Sequence, residues 1–505
     1  MSLNYNFIWL LCYLLVLVGL AGYGFHRLSI VYLYWKNRNN KPQPKARFQE
    51  LPVVTVQLPM FNEKFVVDRL LESVAALDYP QDKLEIQILD DSTDDTTEQC
   101  YRKVEELKSR GFDAVCIHRT DRTGFKAGAL EAATKVAKGE FLLILDADFV
   151  PEPDLLQKTI HFFTDENVGL VQTRWGHINR EYNLLTRIQG MYLDGHFAME
   201  QTARNRSGRF FTFSGTAGMW RKCVIGDAGG WSHDTLTEDM DLSYRVQLKG
   251  WRFIYLNDVV TPAELPVDMD GFKSQQHRWT KGSIQVCQKI LLDIWRSNAP
   301  LKAKVEATTH LTCNYSYLLL ALLCFLVYPI CTQRIPENET VFMWFVNVAL
   351  FFMTSVAVCI FYMSAQIVVR PKSWWKELPY LPLLLTLSVG MAVNNAKAVL
   401  EAIFGHQSAF VRTPKYGVDR KEDRRHVSQL KRNGYRAIKS VVIPVLEIAC
   451  GTFFLNLIII MIRQGHYLSP ILMIPFLGFY YTGFCSLGRM ISNLLPAKQT
   501  AKAKN

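Results

Sequence analysis

Five stretches of the chain are apolar for long enough to cross a bilayer. Residues 7–25 contain no charged side chain, and residues 311–331, 341–369, 441–462 and 468–491 are comparable. A helix spans the hydrocarbon core with roughly 20 mostly apolar residues. Residues 378–404 begin in the same way but become polar on one side, with Asn394, Asn395, Lys397 and Glu401. Between the first and second runs the pattern changes to short elements. Residues 53–58 form a β-rich run closed by Pro59, residues 65–77 have helical periodicity, and residues 84–89 are a strand. Ser92 or Asp94 is placed to cap the helix that follows. Strand 114–118, helix 126–137 and strand 141–145 continue the alternation. Strands alternating with helices of this length predict an α/β domain with a parallel sheet covered on both faces.

Charge orients these elements. The first run lacks a basic leader and a small-x-small cleavage site, and basic residues follow it, so it is expected to be a retained anchor. The net charge of +11 is concentrated beside the apolar runs, at 36–47, 370–376, 412–436 and 498–504. That distribution is the positive-inside pattern, with attraction to anionic membrane lipids, and it argues against nucleic-acid binding. It puts the central α/β region in the cytoplasm. A full crossing by 378–404 would place the basic segment 412–436 outside. Lys397 and Glu401 form a helical i, i+4 pair, so at least the second half of this stretch is expected to lie along the interface. Five crossings and one interfacial element then satisfy every loop. The implied organisation is an anchor at 1–48, a cytoplasmic domain at 49–298, membrane and interfacial helices at 299–404, a basic cytoplasmic loop at 405–437, and a membrane hairpin with a basic tail at 438–505. Asn338-Glu339-Thr340 is a sequon on the predicted outer loop. The eleven cysteines include no C-x-x-C pair and no zinc-ligand spacing, which suits buried reduced thiols.

The candidate chemistry sits at strand ends. Asp90 and Asp91 follow the strand at 84–89, and Asp146-Ala147-Asp148 follows the strand at 141–145. Open α/β sheets bind ligands at the carboxyl ends of their strands. Asp90, Asp91 and Asp94 also suit a turn or a helix cap. Asp146 and Asp148 place two like charges one residue apart, a repulsion that a hard divalent cation would relieve. Residues 122–130 begin a helix with glycines beside Lys126, either a phosphate cradle or a flexible loop. Glu238, Asp239 and Asp241 read equally as an acidic first helical turn or as a functional cluster. Gln275 to Trp279 lie in an amphipathic stretch, where Arg278 could be a surface cation and Trp279 an interfacial anchor.

Taken in order, Asp, Asp-x-Asp, Thr237-Glu238-Asp239 and Gln275-x-x-Arg278-Trp279 resemble the processive family 2 membrane glycosyltransferases. Residues 57–63, 215–221 and 410–415 extend the likeness to the cellulose synthase-like A and C families and their bacterial relatives. The resemblance implies a cytoplasmic GT-A-type domain, Rossmann-like with a mostly parallel sheet, inserted in an α-helical transmembrane bundle. It implies that Asp90 and Asp91 hold the nucleoside, with Phe61 and Glu63 beside the base, and that Lys126, Gln275 and Arg278 meet the diphosphate. Asp148, with Asp146 near the ribose, would hold Mg²⁺ or Mn²⁺. Asp239, beside Glu238, would be the general base. Gly215, Thr216 and Trp279 would face the acceptor, and Thr413 and Lys415 would belong to a gating loop over the nucleotide. Ser214 stands where many relatives carry Asn.

The implied function is inverting, metal-dependent polymerisation of a β-linked hexose from a nucleotide sugar, with translocation of the growing glycan. UDP-glucose is the first donor expected and GDP-mannose the second. The alternatives are non-processive glucosylation of a lipid such as ceramide or diacylglycerol, and a transporter or scaffold that has lost catalysis. A bacterial inner membrane is the expected location, or a Golgi membrane in a eukaryote.

Overall fold

The computed structural model describes residues 2–332, 349, 352–407, 413, 415–418, 441–464 and 470–494. The sequon, the basic tail and most of the segment 405–437 lie outside the described residues. A long helix α1 (Ser2–Asn37) leads into a seven-stranded sheet of order β3-β2-β1-β4-β6-β5-β7. The strands are β1 (Val54–Met60), β2 (Leu84–Asp90), β3 (Asp113–His118), β4 (Phe141–Ile144), β5 (Val168–His177), β6 (Gly218–Arg221) and β7 (Arg252–Ala263). Neighbours run parallel except β6, which is antiparallel to β4 and to β5. The sheet is therefore mostly parallel, with one reversed strand that the alternation of elements did not predict.

β4 shows why the sheet needs cover on both sides. Phe141 and Leu143 face a core with Leu70, Val74 and Val104, from α2 (Val67–Ala75) and α3 (Thr96–Ser109). Leu142 and Ile144 face a second core with Leu130 of α4 (Phe125–Val136) and Trp220. Side chains alternate with period two, and both sets are apolar because both faces are buried. Polar residues inside the sheet are paired across strands. Thr55 lies opposite Glu85 and Gln57 opposite Gln87 in the parallel register. Thr55 Oγ1 donates to Glu85 Oε2 at 2.6 Å, and Gln57 Nε2 donates to Gln87 Oε1 at 3.1 Å. A buried polar group left unpaired would be costly, so these pairs also fix the register.

Cap chemistry before α3 is divided. Asp94 Oδ1 accepts the Thr96 N–H at 3.0 Å, whereas Ser92 Oγ accepts the Asn62 N–H at 2.8 Å. Beyond β5 come α5 (Leu184–Asp194) and, after β6, α6 (Glu238–Leu248). The longest helix after the sheet is α7 (Met269–Arg296), whose N-cap Asp268 accepts the Gly271 N–H at 2.9 Å.

Two described helices are long and apolar enough to cross a membrane, Ile8–Asn37 and Val442–Arg463. Two bent pairs pass the same test jointly: Leu301–Thr312 with Tyr315–Pro329 at 53°, and Trp374–Gly390 with Ala392–Ile403 at 41°. The second pair includes the stretch whose polar face suggested an interfacial helix. Much of that face is turned inward: Asn395 is fully buried, Asn394 Nδ2 donates to the Lys273 carbonyl of α7 at 3.2 Å, and Glu401 pairs with Lys281 of α7 at 3.1 Å, whereas Lys397 is exposed. The cysteines whose side chains are described are all free.

Candidate active site

The carboxyl ends of the parallel strands open into a cleft. Its floor is built by the turn after β4. The Asp146 N–H donates to Thr216 Oγ1 at 2.8 Å, and Asp146 Oδ1 accepts Lys126 Nζ at 2.5 Å. Lys126 reaches there from the first turn of α4 and also donates to the Gly215 carbonyl at 2.8 Å. Burial alone would lower its pKa; Asp146, Glu238 and Asp239 outweigh that and raise it. Asp148 Oδ2 accepts Lys415 Nζ at 2.6 Å and the Glu264 N–H at 3.2 Å. Each carboxylate of the Asp-x-Asp thus faces an ammonium group. No third His, Cys, Asp or Glu joins them among the described residues. This donor set fits a hard ion such as Mg²⁺, which takes one or two carboxylates and fills its other positions with water and phosphate oxygens.

Asp239 stands in the first turn of α6, where its Oδ1 accepts the Met240 N–H at 2.8 Å. Burial, followed by the neighbouring Glu238 carboxylate, pushes its pKa up to about 7, against the pull of Met240, Lys126 and Arg278. A carboxylate tuned to that range suits proton abstraction at neutral pH. The backbone opposite must stay bare. A Cβ at Gly215, whose φ is +79°, would lie 3.0 Å from Asp239 Oδ2. Asn62, Phe125 and Ala217 also have positive φ and flank the cleft segments, a concentration of backbone strain typical of functional sites.

Gln275, Arg278 and Trp279 all line the cleft because i, i+3 and i+4 share one helix face. The Trp279 ring lies 6.5 Å from Trp175, which stacks on Phe197 at 4.6 Å with a 24° interplanar angle. Phe61, Glu63, Asp91, Glu238, Thr413 and Lys415 also line the cleft. Asp91 is gripped by Arg119 through two contacts, at 2.8 and 2.6 Å.

Two residues expected to touch ligands stand behind the wall. Asp90 is fully buried and accepts Thr97 Oγ1, His118 Nδ1 and the Ser92 N–H, so it organises the turn, as Asp does elsewhere. Thr216 is fully buried and positions Asp146. Cleft residues that went unread in the sequence include Trp175 at the end of β5, Glu264 just after β7, and Arg122, whose guanidinium stacks 3.3 Å from the Phe61 ring centroid. Only Arg122 had a signal, its place in the glycine-containing turn before Lys126.

Residues 52–282 match the family model described as "Glycosyltransferase like family 2". The chain carries a family 2 glycosyltransferase domain. Over 286 residues it is 41% identical to glucomannan 4-beta-mannosyltransferase 2 of Arabidopsis thaliana, covering 54% of this chain and 53% of the relative. Over 277 residues it is 40% identical to glucomannan 4-beta-mannosyltransferase 1 of Oryza sativa subsp. japonica, with the same two shares. The chain spans about half the length of the curated relatives it matches. The fold of the transferase domain is also that of a mannosyltransferase from Pyrobaculum calidifontis, solved in complex with GDP-Man and Mn²⁺. That likeness has a TM-score of 0.56 at 20% identity and covers 78% of this chain and all of the other.

Proposed function

We propose that this chain transfers mannosyl units from GDP-mannose to a growing β-linked glycan of the mannan or glucomannan type. The observation that carries the reading is one cleft holding a base of raised pKa, an Asp-x-Asp, two lysines, an arginine and an aromatic platform. The likeness to two plant mannosyltransferases supports the donor. It reverses the order expected from the motifs, which put UDP-glucose ahead of GDP-mannose.

Asp239 takes the proton from the acceptor hydroxyl as that oxygen attacks the anomeric carbon, and Glu238 keeps the Asp239 carboxyl basic. Lys126 and Arg278 lie where negative charge grows on the departing diphosphate. A divalent cation held by Asp148 and Asp146 supplies further charge neutralisation there when bound. Arg278 can meet two phosphate oxygens at once, which suits its planar fork. Trp279, backed by Trp175, offers an apolar face to the acceptor sugar. The membrane helices beside the cleft are the route proposed for the product.

The test is radiolabelled transfer by the full chain in lipid nanodiscs, with GDP-mannose and UDP-glucose run in parallel with Mg²⁺ or Mn²⁺. Label from GDP-mannose in high-molecular-weight, mannanase-sensitive material is the expected result. Label extracted into organic solvent would identify a glycolipid enzyme and overturn the polymer reading.

Trp279→Ala separates elongation from bond cleavage. Losing the platform is expected to lower elongation about tenfold, equivalent to about 1.4 kcal/mol of acceptor binding. Donor hydrolysis by water should change far less. Equal loss of both activities would remove Trp279 from the acceptor site.

A further inference from the structure

Glu264 follows the last residue of β7 and is only 3% exposed. The transfer chemistry above gives it no task, yet its polar groups bind in three directions. Its N–H donates to Asp148 Oδ2 at 3.2 Å. Its carbonyl accepts Lys415 Nζ at 2.5 Å. Its carboxylate accepts the Tyr416 N–H at 2.8 Å on Oε1, and on Oε2 the Val418 N–H at 3.1 Å and Arg69 at 3.4 Å. One residue, through its backbone on the Asp-x-Asp side and its carboxylate on the other, therefore joins the cleft floor to a segment about 150 residues away. That segment is seated on its other side too: Tyr416 and Val418 are buried against Tyr182 and Val267. Gly417 has φ +68°, and a Cβ there would meet the Phe65 carbonyl oxygen at 2.7 Å. Thr413 is 5% exposed, lines the cleft, and its Oγ1 has no hydrogen-bond partner among the described residues.

We propose that Glu264 is a positioning residue that holds Thr413 and residues 415–418 against the cleft, so that Lys415 and the unpaired Thr413 hydroxyl face the donor's diphosphate. The proposal rests on reading the cleft as a nucleotide-sugar site. The physical reason is satisfaction of buried groups. A carboxylate inside the protein needs hydrogen bonds, and two of those available to it are backbone N–H groups of this segment. Lifting the segment would leave the carboxylate short of partners beside Asp148, so the seated arrangement is strongly preferred.

Hydrogen exchange on the full chain in nanodiscs, with and without GDP and Mn²⁺, tests this together with donor kinetics. Glu264→Gln keeps the shape but loses the charge and sets an amide N–H₂ against a backbone donor. The amides of 415–418 are expected to exchange about tenfold faster or more, the loss of roughly one charge-assisted hydrogen bond. The KM for the donor should rise about tenfold as kcat changes little, the signature of lost binding. Amides of β1 and β4 should keep their wild-type protection. Gly417→Ala, which unseats the segment from the Phe65 side and leaves Glu264 intact, should move the same readouts the same way. Wild-type exchange at 415–418 in Glu264→Gln overturns the proposal, as does loss of protection across the whole sheet, which would make Glu264 merely structural. If wild-type protein turns over neither GDP-mannose nor UDP-glucose but these amides still depend on Glu264, the reading of the cleft fails and the tether does not.

Discussion

Replacing Asp239 with Asn is expected to reduce sugar transfer 10²- to 10⁴-fold, the range general-base catalysis supplies, with nucleotide binding nearly unchanged. Asn keeps the size and can still accept the Met240 N–H, so the first turn of α6 is preserved. It cannot take a proton. Wild type should show an acid limb in kcat/KM with its midpoint near 7, where burial and Glu238 put the Asp239 carboxyl. One pH unit below that midpoint, activity should be down about tenfold; the residual activity of the Asn variant should lack this limb. The sign for stability runs the other way. The folded carboxyl binds its proton more tightly than an unfolded Asp, with a pKa of about 3.9. The stability so gained is complete at acid pH and is lost as pH rises from about 4 to about 7. Asn escapes that loss, so the variant should melt no lower than wild type at pH 8. Retained turnover in the folded variant would remove Asp239 as the base.

How far such roles could be read in the sequence depended on where each side chain finds its partner. Strands β1 to β4 were legible because each is a short run of strand-forming residues that stops at a turn, with β4 apolar throughout. β5 and β7 were not. Their middles carry polar residues whose partners lie far along the chain: Gln172 donates to the Thr216 and Ala217 carbonyls, and Thr173 bonds Thr261. A register shift between Thr173 and Arg174 breaks any simple alternation. Trp175 and Glu264 lie at the ends of those unread strands, so their place in the cleft was hidden with them. Asp239, Arg278 and Trp279 were legible because helix spacing alone sets their shared direction. Asp90 had two readings in the sequence, turn residue or ligand, and its three local hydrogen bonds favour the first.

Arg278→Ala is expected to lower kcat by 10²- to 10³-fold, the cost of removing one preorganised donor from a site of developing negative charge. The argument is electrostatic as well as geometric. Burial lowers the guanidinium pKa, and Glu238, Asp146 and Asp239 act against that, so Arg278 joins Lys126 in balancing three carboxylates of the cleft. Without it, the leaving diphosphate loses a bidentate partner and the carboxylates repel one another less screened. Arg278 is also one of the groups holding the Asp239 pKa down. Its removal should therefore move the acid limb of kcat/KM toward alkaline pH, an effect that a pure phosphate anchor would not produce. Arg278→Lys restores the charge but not the planar fork, so it should recover the position of the limb more fully than the rate. A rise in KM alone, with kcat and the pH profile unchanged, would mean that Arg278 binds donor and transition state equally and leaves the chemistry to others.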